Sequence, residues 1–185
     1  ASISGFGQTG PYSHYPGYDL IAQAFAGAMS ITGMKGHIPL KSGIPVADVL
    51  GGMNAAIGIL AALNYRNMTG KGQHIDVALV DSIVASLITN TMPYIVTGDI
   101  PDKSGNRYFN AYPYDSFTSQ DGEYVIACGT DPHFEELSKA IGMPELIEDE
   151  RFNEFEKRKT NADELKEVID KWSIDKSTKE CVEII

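Results

Sequence analysis

The feature that most constrains this chain is the stretch from Gly43 to Asp76, GIPVADVLGGMNAAIGILAALNYRNMTGKGQHID. It holds one long apolar run with a single carboxylate, Asp48, where the run turns helical. Val49, Met53, Ile57 and Leu60 recur at helical spacing, with Ala56, Ala61 and Leu63 between them. Thr69-Gly70-Lys71-Gly72 supplies a C-terminal glycine and a turn, so the helix is expected to end near Met68. His74 to Leu79 then reads as a strand. A helix of this length followed by a strand asks for an α/β packing partner.

Two roles are open to Asp48. A carboxylate at that point can be a helix N-cap, accepting hydrogen bonds from the first free backbone N–H groups. It can also be a nucleophile, because a helix N-terminus favours the ionised form and an ionised carboxylate can attack an acyl group. Gly51 and Gly52 favour the second role. They weaken the start of the helix, and they leave room where larger side chains would exclude a ligand.

Composition narrows the setting. Of the 185 residues, 43% are hydrophobic and 22% charged, which is ordinary for a globular chain. No apolar run reads as a membrane span, since Asn54, Asn64 and Arg66 interrupt the long helix. A net charge of −10 argues against nucleic acid or an anionic membrane as partner. Cys128 and Cys181 are too few for a disulfide scaffold and suit a reduced cytoplasm. The chain opens at Ala1-Ser2-Ile3-Ser4 as if at the end of a strand, and its last capping box, Ser177 to Glu180, has little helix after it. It is therefore expected to be an internal piece of a longer protein.

Along the chain, Gly5, Gly7 and Gly10 spell G-x-G-x-x-G after a possible strand. The segment that follows, PYSHYPG, cannot open the helix that a dinucleotide site needs, so these glycines read as a loop at a strand end. His14, among aromatics and prolines, reads as a surface or packing histidine. Asp19 to Ser30 is expected to be one helix capped by Asp19, with an alanine-rich buried face. Residues 32–42 read as a solvated loop. Asp81 to Asn90 is expected to be a helix burying Ile83, Val84 and Leu87. Around Gly98 to Asn106 the composition shifts to Pro, Gly, Asp and Ser, the mark of a linker. Ser116-Phe117-Thr118 and Glu123 to Ala127 read as a hairpin about Gln120-Asp121-Gly122. Helices are expected from Asp131-Pro132 to Gly142, and from Asn161, with Glu164 as its capping partner, through Trp172. No zinc spacing, Walker loop or G-x-S-x-G elbow is present.

Together, ISGFGQTGP, PGYD, Thr32-Gly33, GIPVADVLGGMNAAIGILAAL, R-x-x-TGKGQ-x-ID-V, AYPYDSFTSQDG, IACGTDPHFEEL and LIEDERF resemble the class III (family III) CoA-transferases over essentially the whole chain. Formyl-CoA transferase, carnitine CoA-transferase and the related 2-methylacyl-CoA racemases are of this kind. The resemblance implies an α/β fold. Residues 1–98 would be the second half of a Rossmann-like large CoA-binding domain, 99–115 a linker, and 116–185 an incomplete small α+β domain. It implies coenzyme A as acyl-CoA substrate with no metal, a small carboxylic acid as the other substrate, and an interlocked homodimer in the cytoplasm.

The resemblance also implies a chemistry. The residue matching Asp48 attacks the thioester carbonyl of the donor, giving a mixed anhydride. The freed CoA thiolate attacks the aspartyl carbonyl, leaving an Asp48–CoA thioester and a carboxylate product. The acceptor acid enters by the reverse steps. Pro16, Gly17, Tyr18 and Asp19 match the segment that contacts CoA, and Gly105 and Asn106 match a loop facing the substrate. Racemases of this superfamily carry a His where Tyr18 stands. A phenol, with an ordinary pKa of about 10, is a poor base near neutral pH, so Tyr18 favours transferase over racemase or epimerase. Formyl-CoA transferase has a basic residue in place of Pro16 and a run of glycines in place of Gly105 to Tyr108, so formate or oxalate is not implied. Tyr18, Tyr108, Phe109 and Tyr112 would admit an aromatic or mid-length acid. The reading from another class is a non-catalytic CoA-binding or interaction module, with Asp48 only a cap.

Overall fold

The computed structural model describes residues 1–185, which form two compact units, Ala1–Gly105 and Asn106–Ile185. The first is built on a parallel strand pair. β1 (Ser2–Ser4) lies beside β2 (Asp76–Ala78), with Ser2 opposite Asp76 and Ser4 opposite Ala78. Both helices of the crossover stand between them in sequence, α1 (Asp19–Phe25) and α2 (Val46–Thr69). α3 (Leu79–Ser86) leaves β2 without a loop, and α4 (Ile88–Thr97) follows after a bend of 73°. Parallel strands need such a long crossover, and this one delivers its helices to the strands with no side-chain bulk to spare.

The seat of α2 shows why. Its buried residues are Ala47, Gly51 and Ala55. A Cβ on Gly51 would stand 2.5 Å from Leu79 Cδ2, and one on Gly58 would stand 2.8 Å from Ile75 Cγ2. The helix is therefore pressed on the strand layer along a stripe of small residues. The larger residues that recur at helical spacing, Val49, Met53, Ile57 and Leu60, are exposed, at 47, 57, 62 and 66%. Close approach selects for small side chains, and hydrophobic periodicity does not register them. By length and composition α2 also passes as a membrane span, with a mean hydropathy of 1.8 and only 17% of that window buried. This corrects the expectation that no run reaches that length, because one Asp near the start and one Arg near the end leave the middle uncharged. The C-terminus falls as expected, with Gly70 at φ 71° closing the helix onto Arg66 O.

Other boundaries move for local reasons. The helix expected through Ser30 stops at Phe25, because Gly27 at φ 90° turns the chain into a short 3₁₀ turn over Ala28–Ile31. The helix expected over Asp81 to Asn90 starts at Leu79 and is broken at Leu87. Ile83 is buried in it, whereas Val84 is 47% exposed. The first unit's core joins Ala22, Ala47, Leu79, Val80 and Ile83.

The second unit is a hairpin carrying four helices. β3 (Tyr114–Thr118) and β4 (Glu123–Ala127) pair antiparallel, with Phe117 opposite Tyr124. α5 (Asp131–Ala140), α6 (Phe155–Thr160), α7 (Ala162–Ser173) and α8 (Thr178–Ile184) complete it. Thr130, not Asp131, caps α5, and the Asn161 amide donates to Arg151 O rather than capping α7. Asp131 instead meets Arg158. The Arg158 guanidinium, 2% exposed, also donates to the carbonyls of Tyr112 and Phe152 and lies over the Phe134 ring. Tyr112, Phe117, Phe134, Leu165 and Ile169 are among the residues of this core. Both free cysteines are buried, and burial pushes the Cys128 thiol up to about 11.

Candidate active site

The direction of α2 fixes where Asp48 stands. Gly58 lies against Ile75 and Gly51 against Leu79, so the helix runs antiparallel to the strands. Seven helical residues cover about 10 Å, close to the roughly 13 Å of the four strand steps they span. The N-terminus of α2 therefore lies at the carboxyl ends of β1 and β2. That edge is where open α/β sheets place their ligands.

The chain around β1 brings a second segment to the same edge. Gly5 follows β1 directly, and a Cβ on Gly5 would stand 2.4 Å from the Cα of Gly17. Backbone meets backbone there, and only two glycines permit it. The contact fixes Pro16, Gly17, Tyr18 and Asp19 beside the strand end. The rest of the glycine loop is held by Asp76, whose Oδ2 accepts the Gln8 N–H at 2.9 Å. The G-x-G-x-x-G segment is thus a loop at a strand end, as read from its context. His14 is an exposed residue whose ring lies tilted against that of Tyr15, centroids 4.2 Å apart.

Asp48 is the third residue of α2, inside its first turn, and Pro45 occupies the cap position. The N-cap role left open to it is therefore excluded. The capping acceptor comes from α1: Asp19 Oδ1 accepts the Ala47 N–H at 2.8 Å. Asp19 correspondingly does not cap its own helix, where Tyr18 holds the cap position without a side-chain bond. The other Asp19 oxygen accepts Gln23 Nε2–H at 2.7 Å, and Gln23 Oε1 accepts the Ser42 N–H at 2.8 Å. Of the first-turn donors of α2, Val46 N–H goes to Ile44 O and Val49 N–H to Pro45 O. The Asp48 carboxylate itself is exposed and has no hydrogen bond or ion pair within the chain.

The two glycines after it divide the work. Gly51 faces Leu79 and serves packing, whereas a Cβ on Gly52 would meet nothing within 4 Å. Gly52 is one turn from Asp48, on the same face, so the open space lies beside the carboxylate. A free carboxylate at the positive end of a helix dipole, next to open surface, can act as an acyl acceptor.

The remaining sequence-derived positions fall as follows. Tyr18 is 74% exposed. Gly105, at φ 65°, donates its N–H to Gly33 O at 2.9 Å and packs on Met34. The Asn106 amide donates to Ser116 Oγ at 3.1 Å. Tyr108 and Phe109 are exposed, but Tyr112 is 1% exposed in the core of the second unit. It is thereby removed from the aromatics open to a substrate. Sequence reading missed Gln23 and Ser42. The i, i+4 spacing of Asp19 and Gln23 on one helix face was the available signal.

The chain is 45% identical over 172 residues to an acetyl-CoA:oxalate CoA-transferase of Acetobacter aceti, covering 92% of this chain and 44% of that protein. It is 39% identical over 176 residues to a succinate–glutarate CoA-transferase of Agrobacterium fabrum, covering 93% of this chain and 44% of that one. The chain thus spans less than half the length of these curated relatives. Its fold matches the crystal structure of a CAIB/BAIF family protein from Brucella suis with a TM-score of 0.82 and 38% identity, over 98% of this chain and 48% of that one. The profile of CoA-transferase family III matches residues 1–185, and the chain belongs to that family.

Proposed function

We propose that the protein carrying this chain transfers CoA between an acyl-CoA and a dicarboxylic acid, with Asp48 as the nucleophile. The observation that carries the reading is the state of Asp48: exposed, without a partner, in the first turn of α2, with open surface at Gly52. In the first step an Asp48 oxygen bonds to the thioester carbonyl carbon and the C–S bond breaks, releasing CoA thiolate. The thiolate attacks the Asp48 carbonyl of the mixed anhydride and expels the donor carboxylate. The acceptor carboxylate then attacks the aspartyl–CoA thioester, and the thiolate returns to the new acyl group, regenerating Asp48. The helix dipole supports the carboxylate that starts and ends the cycle.

The substrate class is supported by the relatives. Curated relatives at 35–45% identity carry names that specify oxalate, glutarate, mesaconate, D-citramalate or L-malate, all dicarboxylic acids. An oxalate-using relative at 45% identity also keeps the shortest dicarboxylate in the set, although the glycine run of formyl-CoA transferase is absent here. Tyr18 beside Asp48's edge is suited to hydrogen bonding of the acyl-CoA rather than to proton abstraction. We read α2 as a core helix, since Ala47, Gly51 and Ala55 seat it on the strands. Pro16, Gly17 and Tyr18 for CoA, Gly105 and Asn106 for the second substrate, a homodimer and a cytoplasmic location belong to the same reading. Two free buried thiols suit that location.

Asp48→Asn tests the role in the whole protein. The amide keeps the shape and forfeits only a helix-dipole contribution of about 0.3–1 kcal/mol. Turnover is expected to vanish while the melting transition stays close to that of the unaltered protein. Turnover that survives the substitution refutes the nucleophile.

A further inference from the structure

We propose that Gln23 is a positioning residue for the reacting carboxylate; the proposal rests on the reading of Asp48 as nucleophile. Gln23 is 1% exposed, and a buried primary amide is costly unless both of its ends are used. Here both are. Nε2 donates to Asp19 Oδ2 at 2.7 Å and Oε1 accepts from Ser42 N–H at 2.8 Å. Asp19 in turn takes the Ala47 N–H at 2.8 Å. Two side chains of α1, Gln23 and the Asp19 that it orients, therefore fix two points, Ser42 and Ala47, of the segment that leads into α2. Asp48 is the next residue after the second point.

The segment between has little else to hold it. Gly43, Ile44 and Pro45 are exposed, and their local bonds are Ile44 N–H to Ser42 Oγ at 3.4 Å, Val46 N–H to Ile44 O at 2.9 Å and Val49 N–H to Pro45 O at 3.1 Å. Only a neutral side chain of this length that both donates and accepts can serve. Ionised Glu has no donor for Asp19, and Met has neither function. A nucleophile displaced by a fraction of an ångström loses rate at the chemical step while the substrate's remote contacts survive. The signature is a fall in adduct formation rather than in affinity.

The test uses the whole protein with Gln23→Glu, Gln23→Met and Asp48→Asn, and succinyl-CoA as the probe thioester. Single-turnover formation of the hydroxylamine-trapped Asp48 adduct is measured alongside KM and the melting transition. At about pH 7.5, Gln23→Glu and Gln23→Met are expected to slow adduct formation about 10- to 100-fold, with KM moving less than about threefold. The charged groups bonded into this network are Asp19 and, on the Ser42 carbonyl, Lys41. Two carboxylates at positions 19 and 23 raise the pKa of one of them. Lowering the pH to about 5.5 then restores a donor in Gln23→Glu alone, and its rate relative to the unaltered protein recovers. The inference fails if both Gln23 variants stay within about twofold of the unaltered protein while Asp48→Asn is inactive. It fails also if rate falls only in step with loss of folded protein and Gln23→Glu does not recover. If Asp48→Asn still forms product, the nucleophile reading falls and this inference falls with it.

Discussion

Asp19 and Ala47, 28 positions apart, are joined by a 2.8 Å hydrogen bond from the Ala47 N–H to Asp19 Oδ1. That bond separates two tasks that one carboxylate would otherwise share. Asp19 satisfies a first-turn donor of α2, and Asp48, one residue on, is left with no structural duty. A capping carboxylate is tied up by the N–H groups it accepts; a nucleophile must not be. The arrangement predicts that the two acids fail differently when altered.

Asp19→Ala removes the acceptor of both the Ala47 N–H and the Gln23 amide. The expected cost is about 1–2 kcal/mol of stability, in the range of a lost N-cap, read as a lowered urea midpoint with an unchanged slope. Asp48→Ala is expected to leave the midpoint nearly in place. Equal losses from the two substitutions would show that the capping duty is shared.

Gly52 is the position where stability and activity are expected to part. Gly52→Ala removes a helix-interior glycine and is expected to stabilise by roughly 0.5–1 kcal/mol, since nothing stands within 4 Å of its Cβ. Gly52→Leu is expected to keep the fold and lower kcat/KM at least about tenfold by filling the space beside Asp48. A Leu variant of normal activity would mean that the substrate approaches from elsewhere.

Gly17→Ala brings a Cβ to 2.3 Å from Gly5 Cα. The φ at Gly17 is not in the left-handed region, so the penalty is steric and not conformational. Overpacking against backbone is expected to cost about 1–3 kcal/mol and to displace Tyr18 and Asp19. Gly43→Ala, with no atom within 4 Å and no positive φ, is the matched control and is expected to be neutral. Thermal unfolding of the two variants decides it.

In the second unit the pH dependence has a definite sign. The Ser177 N–H and hydroxyl hold the Glu180 carboxyl below its ordinary range, and the Thr178 N–H and hydroxyl do the same for Asp121. Groups with depressed folded values contribute stability above the ordinary carboxylate range and lose it as the pH falls through their folded values. Amide exchange at Thr178 to Cys181 is therefore expected to quicken below about pH 4, once corrected for intrinsic rates. Protection that persists at pH 2 would mean that the capping box does not hold α8.

Elements with a local cause were legible in the sequence. The hairpin at Asp121-Gly122, the Ser177–Glu180 capping box and the Gly70 stop are each set by a few adjacent residues, and each is found in place. Features set by packing were not. The buried face of α2 is small because Leu79 and Ile75 press on Gly51 and Gly58, and neither contact leaves a trace in hydrophobic periodicity. The burial of Tyr112 likewise depends on the tertiary setting. At the site, Asp48 stood out because it is an isolated charge in an apolar run. Its supports, Asp19 and Gln23, come from another helix; their i, i+4 pairing is written in the sequence, whereas their bonds to Ser42 and Ala47 exist only because the fold brings the two helices together.

The measurement that bears most directly on the central claim is intact mass, followed by peptide mapping, of the whole protein after incubation with a panel of dicarboxylyl-CoA thioesters and trapping with hydroxylamine. The account predicts a hydroxamate localised to Asp48 with at least one donor, and none in Asp48→Asn. No adduct with any donor, together with uptake of deuterium at the α-carbon in heavy water, would contradict it and turn the reading to a racemase.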